Sequence, residues 1–238
     1  MAAAIRFRSA VALIGDFPVL AGVDLDVASG EIVLLRGPNG AGKTSLLRAC
    51  AGLLPVSSGQ AEVLGNDLVA DRRSVRRQVG LLGHATSLYD DLTVEDNVRF
   101  AVRASGGRRD TVTPSLERLG LAGRLARVRV GQLSAGQRRR VALSILIARD
   151  PALWLLDEPH AGLDAAHRDV VDGLVKEAAA RGKTVLFASH EQDRAVALTR
   201  RIVDMAGGHV VAAVAPTTGP VSPRATISQP LPEPIHVA

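Results

Sequence analysis

A glycine-rich segment from Gly37 to Thr44 carries the residue types that bind phosphate groups. It fits the pattern G-x-x-x-x-G-K-[ST] in full and reads Gly37, Pro38, Asn39, Gly40, Ala41, Gly42, Lys43, Thr44. Glycines let backbone N–H groups face an anion without a Cβ in the way, and the lysine adds a point charge. The threonine hydroxyl can bind Mg²⁺, and a following helix, entered at Ser45, directs its positive end at the anion. The segment therefore predicts a site for a nucleoside triphosphate such as ATP, together with Mg²⁺.

Two adjacent carboxylates, Asp157 and Glu158, follow the short apolar run 153–156. A run of this kind is typical of a strand that is covered on both faces, so the carboxylates come at its end. We expect Asp157 to bind Mg²⁺ through a water molecule. We expect Glu158 to orient or deprotonate the water that attacks the γ-phosphate. Considered by itself, the pair could equally be an exposed acidic turn.

A third segment, Leu133-Ser134-Ala135-Gly136-Gln137, precedes the apolar strand. A helix that begins at Ser134 has free backbone N–H groups and a small hydroxyl at its start, which suits a second contact with an anion. A purely structural helix cap is the alternative for this segment taken alone.

The order of these segments resembles that of the ABC ATPase family. A phosphate loop is followed by L-S-x-G-Q, then by an apolar strand with Asp-Glu, and later by Ser189-His190. The resemblance extends over residues 5–212, and other phosphate-loop NTPases lack the L-S-x-G-Q segment. It implies an α/β fold, a phosphate-loop NTPase core of the ABC ATPase type with a small antiparallel β-lobe and a helical subdomain.

The resemblance also implies a role for each matching residue. In this family two nucleotide domains face head to tail, and each ATP lies between the phosphate loop of one and the L-S-x-G-Q segment of the other. By this likeness, residues 134–137 contact the ATP on a partner's loop, and Glu158 is the catalytic carboxylate. His190 matches the switch histidine near the γ-phosphate, and Asp164 lies in the loop that couples the two sites and is expected to contact the nucleotide.

Three positions depart from the family pattern. His84 stands where a glutamine usually helps to hold Mg²⁺ and water and signals to the membrane subunit; its imidazole can accept from water or bind metal. Ile14 stands where an aromatic residue usually stacks on adenine, and Phe17 either substitutes for it or belongs to the core. His160 follows Pro159 where the family often has Thr or Ser.

Two local variants resemble one branch of the family, the ATP-binding subunit of the haem exporter of cytochrome c maturation. They are Gly83-His84 with Leu88-x-x-x-Leu92-Thr93, and Leu-Ser-Ala-Gly-Gln-Arg in place of Leu-Ser-Gly-Gly-Gln. This likeness implies integral-membrane permease partners and a homodimer or heterodimer of nucleotide-binding subunits. An exporter of drugs or lipids is the direct alternative. A soluble ABC ATPase acting on nucleic acid is disfavoured, because the chain has a single phosphate loop and no room for a long coiled-coil insertion.

Composition agrees with a globular protein. Of its 238 residues 47% are apolar and 3% aromatic, so the core must consist mainly of aliphatic side chains. The net charge of +5 comes from arginine clusters such as Arg138–Arg140, which we interpret as solvated helix faces. Cys50 has no partner for an internal disulfide, and no apolar run approaches the length of a membrane span. We therefore expect a peripheral protein on the cytoplasmic face of the membrane.

The strands and helices that must position these residues are predicted from hydrophobic periodicity and from turn residues that end the elements. Strands are predicted at 19–27, 31–35, 79–82, 152–156 and 184–188, and helices at 45–51, 74–78, 93–104, 135–149 and 167–181. Residues 108–130 show a polar helical pattern that Pro114 and Gly120 interrupt. We expect one ABC ATPase domain over 1–214, with its helical subdomain at about 86–148, and a Pro-rich flexible tail over 215–238.

Overall fold

The computed structural model describes residues 3–214, and the tail predicted at 215–238 lies outside them. This part of the chain contains both strands and helices. The strands are β1 (Ala3–Ile14), β2 (Phe17–Ala28), β3 (Ile32–Arg36), β4 (Ser58–Val63), β5 (Asn66–Asp67), β6 (Val79–Leu82), β7 (Leu153–Asp157), β8 (Thr184–Ala188), β9 (Arg201–Ala206) and β10 (His209–Val214). The helices are α1 (Lys43–Cys50), α2 (Leu68–Asp71), α3 (Val94–Ser105), α4 (Val112–Arg118), α5 (Ala135–Arg149), α6 (Ala165–Ala180) and α7 (Gln192–Leu198).

The smaller sheet is antiparallel, with strand order β2-β1-β4-β5. Strand β1 alternates buried and exposed residues, since Ile5 and Phe7 are buried and Arg6 and Arg8 are exposed at its start. Its register pairs Ile5 with Val27, as two half-buried strands require. The predicted antiparallel β-lobe is confirmed, although the sequence patterns did not identify β1, β4 or β5 as strands.

The larger sheet has the order β10-β9-β3-β8-β7-β6, and all its neighbouring pairs are parallel except β10 with β9. Every residue of β7 and β8 is buried, which explains their continuous apolar sequences. Because β3, β8 and β7 are parallel neighbours, the segments that follow them meet at one edge of the sheet. These segments are the phosphate loop, Ser189-His190 and Glu158.

A helical cluster of α3, α4 and α5 packs around buried aliphatic residues such as Val98, Leu116 and Val141. The polar pattern at 108–130 yields only α4 and three single turns, because Gly120, with φ of +63°, ends the helical path. The bounds of about 86–148 for a helical subdomain stay a prediction. Within residues 3–214 the structure shows no helix with the length and apolarity needed to cross a membrane.

Candidate functional site

A cleft of about 490 Å³ opens at the edge where the parallel strands end. It brings together residues predicted from five separate segments of the chain. The predicted residues that line it are Phe17, Asn39, Gly40, Ala41, Gly42, Lys43, Thr44, Ser45, His84, Asp157, Glu158 and His190. Sequence analysis missed four others, Pro18, Val19, Gly207 and Gly208, which come from the β1–β2 and β9–β10 hairpins and carry no charged or nucleophilic side chain.

The phosphate loop is closed by its own lysine. Lys43 is the first residue of α1, and its Nζ donates to the carbonyl oxygens of Gly37 at 2.7 Å and Pro38 at 3.0 Å. Gly42 adopts φ of +99° immediately before the helix, a conformation that favours glycine. A Cβ on Gly37 would lie 2.2 Å from the carbonyl oxygen of Met205, so this glycine is also needed for contact with β9. The loop therefore presents backbone N–H groups and an ammonium group to the cleft.

Thr44 and Asp157 place two oxygen ligands together. The Thr44 hydroxyl donates to Asp157 Oδ2 at 2.8 Å, and the Asp157 side chain is buried at the end of β7. Carboxylate and hydroxyl oxygens are the ligand types that Mg²⁺ takes beside nucleotide phosphates. This pair therefore fits the metal predicted for the site.

Glu158 is held by the backbone of the next strand's loop. The His190 N–H donates to Glu158 Oε2 at 3.0 Å, and the imidazole Nε2 lies 3.6 Å from Oε1. Glu158 Oε1 is buried and has no hydrogen-bond partner within residues 3–214. Glu158 also adopts φ of +50°, a conformation that costs a non-glycine residue about 1–3 kcal/mol. An unpaired carboxylate oxygen in a strained residue at a cleft can accept a hydrogen bond from a ligand or water.

Arg139 is a site residue that the sequence patterns missed. Its guanidinium is buried and donates to the carbonyl oxygens of Gly83 (2.6 Å), Asp157 (2.6 Å) and Glu158 (2.5 Å). Burial lowers the pKa of Arg139, and the carboxylates of Asp157 and Glu158 oppose this effect. The interpretation of Arg138–Arg140 as a solvated face is thus wrong for Arg139. One feature of the sequence could have indicated this burial: Arg139 lies four residues before Leu143, which is buried on the same helix.

The segment 134–137 does not line this cleft. It begins α5 with a capping box, in which Ser134 Oγ accepts from the Gln137 N–H at 3.2 Å and Gln137 Oε1 accepts from the Ser134 N–H at 2.9 Å. Ser134 and Ala135 are exposed, and a Cβ on Gly136 would lie 2.7 Å from the carbonyl oxygen of Gly162. The predicted helix start is therefore confirmed, and none of residues 134–137 lines the cleft that holds the phosphate loop of their own chain.

Asp164 also lies outside the cleft, at the start of α6. Its carboxylate accepts from the backbone N–H of His167 at 2.9 Å and lies 2.7 Å from the His167 Nδ1. The hydrogen bond from this N–H is the main cause that lowers the pKa of Asp164, and the His167 side chain adds to it. In this chain Asp164 is a helix cap, so its predicted contact with nucleotide requires a partner.

His84 and Phe17 both line the cleft and are exposed. His84 is exposed and also lines an adjoining groove with Leu88 and Arg139. Phe17 is 71% exposed, so its interpretation as a core residue is wrong. An aromatic face at the mouth of a nucleotide-sized cleft is suited to stacking on a base.

Comparison with known proteins agrees with this geometry. The profile of the ABC transporter family matches residues 20–161. A cytochrome c biogenesis ATP-binding export protein of Cupriavidus metallidurans is 39% identical over 180 residues, which cover 75% of this chain and 85% of the relative. A sulfate/thiosulfate import ATP-binding protein of Agrobacterium fabrum is also 39% identical, over 82% of this chain and 58% of the relative.

Solved structures show the same fold. The ATP-binding subunit of an ABC transporter superposes with a TM-score of 0.83 at 26% identity and covers 89% of each chain. A bacterial ABC transporter cassette, solved as a dimer, superposes with a TM-score of 0.81 at 25% identity and covers 89% of this chain and 98% of that one. These similarities confirm the predicted α/β fold of the ABC ATPase type.

Proposed function

We propose a mechanism for the cleft from an established premise: the chain belongs to the ABC transporter family and is an ATP-binding domain that hydrolyses ATP. Lys43 and the loop N–H groups bind the β- and γ-phosphates of ATP, and Phe17 stacks on the adenine ring. The observation that carries the proposal is the convergence of the phosphate loop, Asp157 and Glu158 at one edge of the sheet. Phosphoryl transfer depends mainly on positioning and on neutralising charge, which this arrangement supplies.

Thr44 and Asp157 would hold Mg²⁺ at the phosphates. When bound there, the cation neutralises charge on the phosphate oxygens. Glu158 orients the attacking water through Oε1, because Oε2 is already occupied by the His190 N–H. The His190 ring lies close to the Glu158 carboxylate and near the γ-phosphate. It holds the loops that carry His190 and Glu158 in position relative to that phosphate.

A second nucleotide-binding subunit completes the site. Ser134, Ala135 and Asp164 are exposed at helix starts, and neither Asp164 nor any residue of the segment 134–137 lines the cleft of its own chain. A head-to-tail pair would place one subunit's segment 134–137 against the ATP on the other subunit's phosphate loop. Free N–H groups at the start of α5 then meet the phosphate oxygens.

Lys43→Ala and Glu158→Gln test the two halves of this mechanism. The exposed Lys176 provides a control, since Lys176→Ala removes the same charge from the surface of α6. We expect Lys43→Ala to lose tight ATP binding, and Glu158→Gln to bind ATP but lose turnover by about 100-fold or more, as removal of one such group commonly does. Near-normal phosphate release by Lys43→Ala would refute the phosphate-loop assignment.

For the cargo, we propose haem export for cytochrome c biogenesis, with the chain bound to integral-membrane permease subunits at the cytoplasmic face. The support is the local pattern of Gly83-His84 and Leu-Ser-Ala-Gly-Gln-Arg, together with relatives named as cytochrome c biogenesis export proteins. A Nod factor export ATP-binding protein of Rhizobium meliloti is 34% identical, so export of another molecule such as a drug or lipid is the alternative.

Deletion of the gene in its own organism separates these cargoes. For haem export we expect covalently attached haem in c-type cytochromes to disappear on peroxidase-stained gels. The wild-type gene restores it, and the Glu158→Gln gene does not. Normal c-type cytochromes in the deletion strain, together with new sensitivity to drugs or altered lipids, would favour the alternative. Permease genes of cytochrome c assembly beside this gene would be independent support.

A further inference from the structure

His160 is an unusual residue to find beside the proposed catalytic carboxylate. It lies two positions after Glu158, and its side chain is almost completely buried. Its Nε2 lies 2.8 Å from Asp172 Oδ1 on α6. Its Nδ1 is buried and has no hydrogen-bond partner within the described chain. An apolar side chain would fill the same space without an unpaired polar atom, so packing alone does not account for a histidine here.

Asp172 extends this contact to a third element. Its Oδ2 accepts from Arg194 on α7, and Arg194 also donates to Asp169 at 2.9 Å. Helix α7 begins directly after His190 and Glu191. The chain of contacts from His160 through Asp172 to Arg194 therefore connects the loop that carries Glu158 with the segment that carries His190.

We propose that His160 is a positioning residue for Glu158 and acts through Asp172 and Arg194. The working contact between the two loops is the 3.0 Å hydrogen bond from the His190 N–H to the Glu158 carboxylate. Glu158 has a strained backbone, so its loop needs external contacts to keep this geometry. The His160 network supplies one such contact through α6 and α7, as Arg139 does from α5. The inference rests on the role proposed for Glu158.

The test is a double-mutant cycle on ATP hydrolysis by the purified full-length chain. His160→Ala and Asp172→Ala are each expected to lower kcat by about 10- to 100-fold, the scale of a small misplacement of a catalytic group. The KM for ATP should stay within about twofold, because the phosphate loop is untouched. The double variant should be no slower than the slower single variant, since both substitutions break one chain of contacts.

Three further variants make the result specific. His160→Gln retains an N–H donor that can reach Asp172, and it should recover part of kcat. Arg194→Ala removes the far end of the chain at a partly exposed position, so it tests the same idea if the His160 variants fail to fold. Glu177→Ala is the control, because Glu177 lies on α6 like Asp172 but only forms a solvent-exposed ion pair with Arg118 at the end of α4, so kcat should stay unchanged.

Two results would overturn the inference. One is a kcat within about twofold of wild type in folded Asp172→Ala or Arg194→Ala; the other is an effect of the double variant equal to the product of the single effects. Glu158→Gln measured alongside separates this failure from that of the proposed mechanism. If Glu158→Gln keeps its turnover, the role of Glu158 is wrong; if it loses turnover while the His160 variants do not, only the His160 inference is wrong.

Discussion

Replacing Arg139 by alanine is expected to destabilise the protein and slow hydrolysis together. The guanidinium is 5% exposed and donates to three backbone carbonyl groups, two of them in the loop that carries Asp157 and Glu158. Within residues 3–214, Arg139 is the only side chain that donates hydrogen bonds to all three of these carbonyl groups. In Arg139→Ala the three carbonyl groups lose this donor, so they are either buried without a hydrogen bond or accept one from water.

The magnitude follows from two opposing contributions. Each hydrogen bond from a charged donor contributes about 1.5–3 kcal/mol, so three would give roughly 4–9 kcal/mol. Burying the charge costs several kcal/mol, consistent with the lowered pKa of Arg139, and alanine removes that cost. The net loss is then about 3 kcal/mol. For a domain of this size 1 kcal/mol shifts Tm by roughly 2–4 °C, so Tm should fall by about 6–12 °C.

Thermal unfolding followed by circular dichroism measures this shift, with Arg99→Ala as the matched control. Arg99 forms exposed ion pairs with Glu95 and Asp96 on α3, and such pairs contribute less than about 1 kcal/mol. We expect Arg139→Lys, which keeps the charge but loses the planar fork, to lie between wild type and alanine. A Tm for Arg139→Ala within about 2 °C of the control would refute the argument, since it would show that the carbonyl groups do not need the guanidinium.

Further outcomes follow from single residues. Gly136→Ala should lower the free energy of unfolding by about 1–3 kcal/mol and so lower Tm, because its Cβ would lie 2.7 Å from the Gly162 carbonyl oxygen; an unchanged Tm would contradict this contact. Phe17→Ala should raise the KM for ATP by about tenfold with little change in kcat, as loss of one stacking contact predicts, and an unchanged KM would exclude stacking. His84→Ala should keep basal hydrolysis but lose its coupling to transport in membranes with the permease; if transport is normal, His84 has no coupling role. Burial raises the pKa of the Cys50 thiol, so a thiol reagent should modify it slowly in the native protein and rapidly in denaturant, whereas rapid native modification would contradict its burial.

Much of the fold could be predicted where local patterns are strong. The predicted bounds are exact for β6, α5 and β8, which span 79–82, 135–149 and 184–188. Each is an apolar run or a capped helix whose ends are clearly marked in the sequence. Strand β4 could not be predicted in this way, since it begins Ser58-Gly59-Gln60, which has no strand pattern. Its pairing with β1 stabilises it as a strand. Strand β9 likewise depends on its neighbour β3, and β10 depends on β9.

The residues of the candidate site also differ in whether local sequence patterns could predict them. The phosphate loop, Asp157, Glu158 and His190 could be predicted because they directly follow buried strands whose ends meet. Arg139 and the His160 network could not, because their partners are distant backbone carbonyl groups or side chains on other helices. The spacing of Arg139 from Leu143 indicates a buried helix face but not the carbonyl groups that the guanidinium contacts, and only the folded chain brings these partners together.

We propose that the cleft is half of an ATP site that a second copy completes. The mass of Glu158→Gln in solution, measured by light scattering after size exclusion with and without ATP and Mg²⁺, tests this pairing. We expect a monomer without nucleotide and a dimer with it, and return to monomer when Ser134→Arg is added to block the partner's phosphates. A variant that binds ATP with Mg²⁺ and stays monomeric would contradict the claim.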